Sequence, residues 1–73
     1  MSHMELIERT FVIPDLDSQA SAMLIEETLA NTPGVTDAQV SLPLRKVTVT
    51  LRDPDGESTV RRHLSGAGFP PED

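Results

Sequence analysis

Seventy-three residues with no cysteine, no tryptophan, no tyrosine and two phenylalanines leave room for one small aliphatic core and little else. Domains usually need about 100 to 200 residues, and a chain this short buries only ~60% of the surface its unfolded form exposes, so a second core is excluded. Twelve acidic residues against six Lys and Arg give a formal net charge of -6. Such a charge disfavours phosphate backbones and anionic lipid surfaces, and any charged partner is expected to be basic, or a cation.

Composition removes further classes. Without cysteine there is no disulfide framework, no thiolate metal site and no thiol chemistry. Nucleic-acid binding needs a basic stripe with aromatic platforms, and the chain has neither. The longest apolar runs, Phe11-Val12-Ile13 and Ala22-Met23-Leu24-Ile25, fall far short of the ~20 residues that span a bilayer. No basic start precedes an apolar stretch, so no signal peptide is expected and the cytoplasm is favoured. Ser2-His3-Met4 reads as a cloning remnant, with residues 4–73 expected to form one domain.

In chain order, residues 6–14 place Ile7, Phe11 and Ile13 on one face at period 2, with Arg9 among them. This predicts a strand ended by Pro14. Asp17 or Ser18 is a good N-cap, because a short side-chain oxygen takes an orphan backbone N–H. The helix is expected to run to about Asn31, with Ser18, Ala22, Ile25 and Leu29 as its inner stripe and Met23 and Leu24 outside. Thr32-Pro33-Gly34 is a stop and turn signal. A second strand is predicted over 35–42, with Ala38, Val40 and Leu42 inward. Pro43-Leu44-Arg45 turns into a third over 46–52, where Val47, Val49 and Leu51 alternate with Thr48 and Thr50. A second helix is expected over 57–67, with Val60, Leu64 and Ala67 on one side and Gly68 as its stop. After Phe69 the four remaining residues include Pro70 and Pro71, so a fourth strand is expected to be short or missing.

The order strand, helix, strand, strand, helix predicts an α+β, ferredoxin-like domain. It has an antiparallel sheet with two helices on one face, the first and third strands central. If the fourth strand fails, the first strand (residues 6–13) becomes an edge open to dimerisation or to a partner strand. Otherwise a short irregular segment covers it.

Several segments together resemble the heavy-metal-associated domain family, which includes copper chaperones and the N-terminal modules of metal-pumping ATPases. They are Phe11-Val12-Ile13, Ile25-Glu26-Glu27-Thr28-Leu29, Pro33-Gly34-Val35 with Ala38 and Val40, Val47-Thr48-Val49, and Gly66-Ala67-Gly68-Phe69. The likeness covers residues 10 to 69. It implies that Ser18 and Ser21 stand where the family places its two metal-binding cysteines, Asp15 at its glycine and Leu16 at its methionine. A serine hydroxyl is hard, neutral and weakly acidic and does not replace a thiolate for copper(I), so soft metals are not expected as ligands. Leu16 fills the methionine's volume.

The remaining candidates are sparse. Asp15 and Asp17 offer oxygens to a hard cation, but without a third ligand. Acids at a helix N-terminus are also explained by its dipole. Asp53-Pro54-Asp55-Gly56 is a turn rather than a calcium loop. His63 follows Arg61 and Arg62 near a helix C-terminus, where cations suit the dipole, and no nucleophile is placed with it. No enzyme activity and no cofactor are expected. Met23 and Leu24, extended by Leu16 and Phe69, are candidates for docking a protein partner. The expected function is a non-catalytic binding or regulatory module acting through protein contacts or self-association. Alternatives are a metal-handling domain using oxygen or partner-supplied ligands, and a small-molecule sensor formed by paired subunits.

Overall fold

The computed structural model describes residues 6–72; the expected remnant at residues 1–3 lies outside them. The chain forms β1 (Ile7–Val12), α1 (Gln19–Ala30), β2 (Val35–Ser41), β3 (Lys46–Leu51) and α2 (Gly56–Gly66). β3 pairs antiparallel with both neighbours, giving the sheet order β1-β3-β2. This is the ferredoxin-like arrangement, with a three-stranded antiparallel sheet and two helices.

The period-2 strands and the helical stripes meet in one cluster. Phe11 and Ile13 from the first strand segment, Val47, Val49 and Leu51 from β3, Ile25 and Leu29 from α1, and Val60 and Leu64 from α2 are all buried. Leu16 and Phe69 close it at the two connecting segments. Fully burying one such side chain stabilises by about 1.5–3 kcal/mol, and no disulfide supplements the core. Ala38, Val40 and Leu42 pack half-buried at its margin, as the alternation predicts. Val35 also points inward, an odd spacing from Ala38. The register shift between Val35 and Asp37 supplies the reason: Thr36 is an extra residue, a bulge whose hydroxyl donates to the Thr50 carbonyl at 3.3 Å.

Arg9, the charge within an apolar face, is accommodated by α2. Its Nε donates to Glu57 Oε1 at 2.9 Å. Glu57 also meets Arg61, whose guanidinium lies 5.1 Å from the centre of the Phe11 ring. The other end of α2 is tied to α1. The buried Thr32 hydroxyl donates to the Thr28 carbonyl at 2.7 Å and lies 3.2 Å from His63 Nδ1. With its one proton given to Thr28, the hydroxyl accepts from His63, so the histidine joins the two helix ends.

The fourth strand reduces to one bridge. Pro70 and Pro71 have no N–H, and Glu72 is the next residue that does; it donates to the Val12 carbonyl at 2.7 Å. β1 is therefore a sheet edge over most of its length, as a short or missing fourth strand implies.

α2 ends as its sequence predicts. Gly68 has φ +93, Phe69 N–H donates to the Leu64 carbonyl at 2.8 Å, and Gly68 N–H donates to Ser65 at 3.1 Å. This is a Schellman cap, completed by the buried pair Leu64 and Phe69. A Cβ at Gly68 or at Gly66 would meet nothing within 4 Å, so the two positions separate backbone conformation from packing. Gly68→Ala is expected to destabilise the domain by about 1–2 kcal/mol through its left-handed backbone. Gly66→Ala, inside the helix, is expected to stabilise it by about 0.4–1 kcal/mol. Urea unfolding midpoints moving in the same direction for both would contradict this assignment.

Candidate functional site

The loop from β1 into α1 holds the positions singled out by spacing. Ile13 N–H donates to the Arg45 carbonyl at 2.8 Å, anchoring the loop to the β2–β3 turn. Leu16 N–H turns back to the Ile13 carbonyl at 3.0 Å, and its side chain is 0% exposed. The loop is therefore plugged into the core from below, and its upper side carries the exposed Asp15, Asp17 and Ser18.

Ser18 is extended (φ -150, ψ 162) and caps α1: its Oγ accepts the Ser21 N–H at 3.1 Å. The Ser18 and Ser21 hydroxyls lie 3.0 Å apart, and Ser21 Oγ donates to Asp17 Oδ1 at 3.5 Å. The only proton arrangement that fits runs from Ser18 to Ser21 to Asp17. The two hydroxyls satisfy each other and the helix end. Neither presents a charged or soft donor outward, so this pair does not fit copper(I) or another thiophilic ion. Among the described residues no three His, Cys, Asp or Glu side chains gather at one point, and Asp15 and Asp17 gain no third carboxylate.

Two of the docking candidates are corrected. Leu16 is fully buried and Phe69 is only 9% exposed, because one plugs the loop and the other completes the α2 cap. Met23 and Leu24 are 63% and 54% exposed on the outer side of α1, one turn beyond the serines. A feature that element-by-element reading missed is a groove between α1 and β2. Glu26 is common to its two halves, of about 340 and 540 Å³. Helix and strand follow one another along the chain, but periodicity does not say how their margins face, which the folded chain decides.

The heavy-metal-associated domain model matches residues 10–70, and the chain belongs to that family. Solved structures agree in fold. Oxidised MerP from Ralstonia metallidurans CH34 superposes with a TM-score of 0.84 at 18% identity, covering 93% of this chain and 96% of that one. The heavy metal binding protein TM0320 from Thermotoga maritima gives 0.78 at 25% identity, over 92% and 94%. The N-terminal domain of ZntA in its Zn(II) form gives 0.77 at 26% identity, over 90% and 89%. Comparison with curated proteins gave no significant match. The chain is thus a cysteine-free member of a family of non-catalytic metal-handling domains. Among the described residues no helix is long and apolar enough to cross a membrane.

The two serines are not equivalent. Ser18→Ala removes the cap acceptor and is expected to lower stability by about 1 kcal/mol. Ser21→Ala keeps the backbone N–H that the cap binds, and its effect should stay within about 0.5 kcal/mol. Equal losses in chemical denaturation would show that the hydroxyl pair, rather than the cap, holds the loop.

Proposed function

We propose that this domain is a non-catalytic binding module that acts through protein contacts and has given up soft-metal carriage. The observation that carries the reading is the state of the former ligand positions. Ser18 and Ser21 spend their hydrogen bonds on each other and on the end of α1, one turn from the exposed pair Met23 and Leu24. The loop, helix and core that present ligands in the family are kept, while the two serine hydroxyls are taken up by each other, by Asp17 and by the end of α1. What remains on that flank is an apolar contact surface on a rigid helix.

Two measurements test it. Immobilised wild-type domain is compared with Met23→Glu/Leu24→Lys for retention of proteins from its own cell extract. Both positions are exposed, so the double variant is expected to keep the wild-type unfolding midpoint within about 0.5 kcal/mol while losing the proteins that the wild type retains. Identical retention by both would refute the docking surface. In parallel, amide spectra are recorded during titration with copper(I), zinc and calcium. Wild type is expected to show no localised shifts over residues 15–21. Ser18→Cys/Ser21→Cys, which restores the thiolate pair on the same loop, is expected to bind copper(I). Localised shifts in the wild type would return the domain to metal handling through oxygen ligands.

A further inference from the structure

The charged residues of this chain are segregated. From Thr10 to Leu44 the sequence contains no Lys, Arg or His and five acids: Asp15, Asp17, Glu26, Glu27 and Asp37. All six Lys and Arg lie outside that stretch, with the other seven acids. The stretch comprises the loop, α1 and β2, so these elements bring five acids and no basic side chain of their own; Arg45 from the β2–β3 turn reaches the loop at the Pro14 carbonyl, 3.5 Å away. The α1–β2 groove lies within that stretch. Met23 and Glu26 line it from the helix; Val40 and Leu42 line it from the strand side, and Asp37 borders it further along.

The floor of the groove is also a free sheet edge. Ile13 N–H bonds to the Arg45 carbonyl, which directs the odd-numbered backbone groups of β3 towards β1. Arg52 N–H bonds to the Gly34 carbonyl, which directs the even-numbered groups towards β2. Thr50 and Thr48 stand opposite Asp37 and Gln39, so those two residues of β2 carry the ladder. By the alternation of an antiparallel pair, the N–H and C=O of Ala38 and Val40 point away from the sheet. Among the described residues no strand lies on that side. The β1 edge differs: Glu72 occupies the Val12 carbonyl, and the Arg9 guanidinium donates to the Glu8 carbonyl at 3.0 Å.

We infer that the α1–β2 groove receives a basic, extended segment of another protein, which adds as a strand to β2 at Ala38 and Val40. Backbone pairing supplies affinity without sequence demands. Alternate side chains of the added strand face the helices, where an apolar one meets Met23 and Val40 and a Lys or Arg meets Glu26. A second copy of this chain is the poorer occupant, because a β2–β2 pairing would bring the Glu26 and Asp37 carboxylates of two grooves together. This inference rests on the protein-contact reading and specifies its partner.

The probe is a peptide of roughly eight residues alternating lysine with valine, the length of a typical strand, with a glutamate–valine counterpart as control. Titration into the wild-type domain is expected to shift the Ala38 and Val40 amides and slow their hydrogen exchange, with affinity falling as salt rises. The glutamate peptide is expected to leave them unmoved. Glu26→Lys, an exposed change, is expected to weaken lysine-peptide binding by about tenfold. Ala38→Pro removes an outward N–H and leaves the β3 ladder intact; it is expected to abolish the exchange protection. Should the proline variant not fold, the Glu26 variant and the exchange pattern decide. Unmoved Ala38 and Val40 amides, or equal affinity for the two peptides, would overturn the inference. So would a concentration-dependent dimer that protects those amides without peptide, since a second copy would then be the occupant. Shifts confined to Met23 and Leu24, with Ala38→Pro binding normally, would overturn strand addition and leave the protein-contact reading standing. Failure of that reading itself appears in the retention assay.

Discussion

Everything in this domain depends on the burial of Val47, Val49 and Leu51 beneath both helices. β3 is the one strand with a neighbour on each side, and its inward residues are fully removed from water. Ile25 and Leu29 from α1 and Val60 and Leu64 from α2 share that cluster. Without cysteine there is no covalent staple, so the position of the loop, the helix ends and the sheet edges all follow from this aliphatic layer. The ion pair of Arg9 with Glu57 sits at its rim, where solvent screening keeps exposed ion pairs to about 0–1 kcal/mol.

The β1–α1 loop shows how a scaffold and a metal chemistry can part. A metal site and a helix N-terminus need the same thing from the backbone, a turn that aims short side chains at one point. Serine meets the helix's need, because its oxygen accepts an amide proton. It does not meet the metal's, because it carries no negative charge and no polarisable sulfur. Leu16 keeps the loop fastened to the core by volume alone. Fold and ligand set are therefore separable, and family membership here establishes the first without the second.

The surfaces proposed here for recognition lie at the margins of the domain. Ferredoxin-like sheets leave edge strands, and in this chain the two edges are treated differently. The β1 edge is partly closed by a residue that follows two prolines and by its own arginine. The β2 edge runs beside a groove and carries no basic side chain. Long Lys and Arg side chains are a common guard on exposed edges, and their absence along β2 agrees with an edge kept available.

Much of this was legible in the residues. Period-2 runs located β1 and β3, the stripe of Ile25 and Leu29 located α1, and Gly68 marked a stop whose hydrogen bonds the structure displays. Capping preference set the helix start at Asp17 or Ser18, and Ser18 is the cap. Those features are local: each depends on side chains within a few residues of one another, whose period or backbone preference is written along the chain. The exposure of Leu16 and Phe69 was not legible, because a single apolar residue beside a turn reads alike whether it plugs a core or projects from it. Nor were the Thr36 bulge, the one-bridge fourth strand, the Thr32–His63 contact or the α1–β2 groove. Each depends on how two separate elements or segments pack, up to 60 residues apart in the case of Val12 and Glu72. By itself the sequence determined the elements, the core composition and the loss of thiolate chemistry. The tertiary structure alone decided which apolar residues reach the surface and which edge lies open beside an acidic groove, because those are set by packing between distant segments.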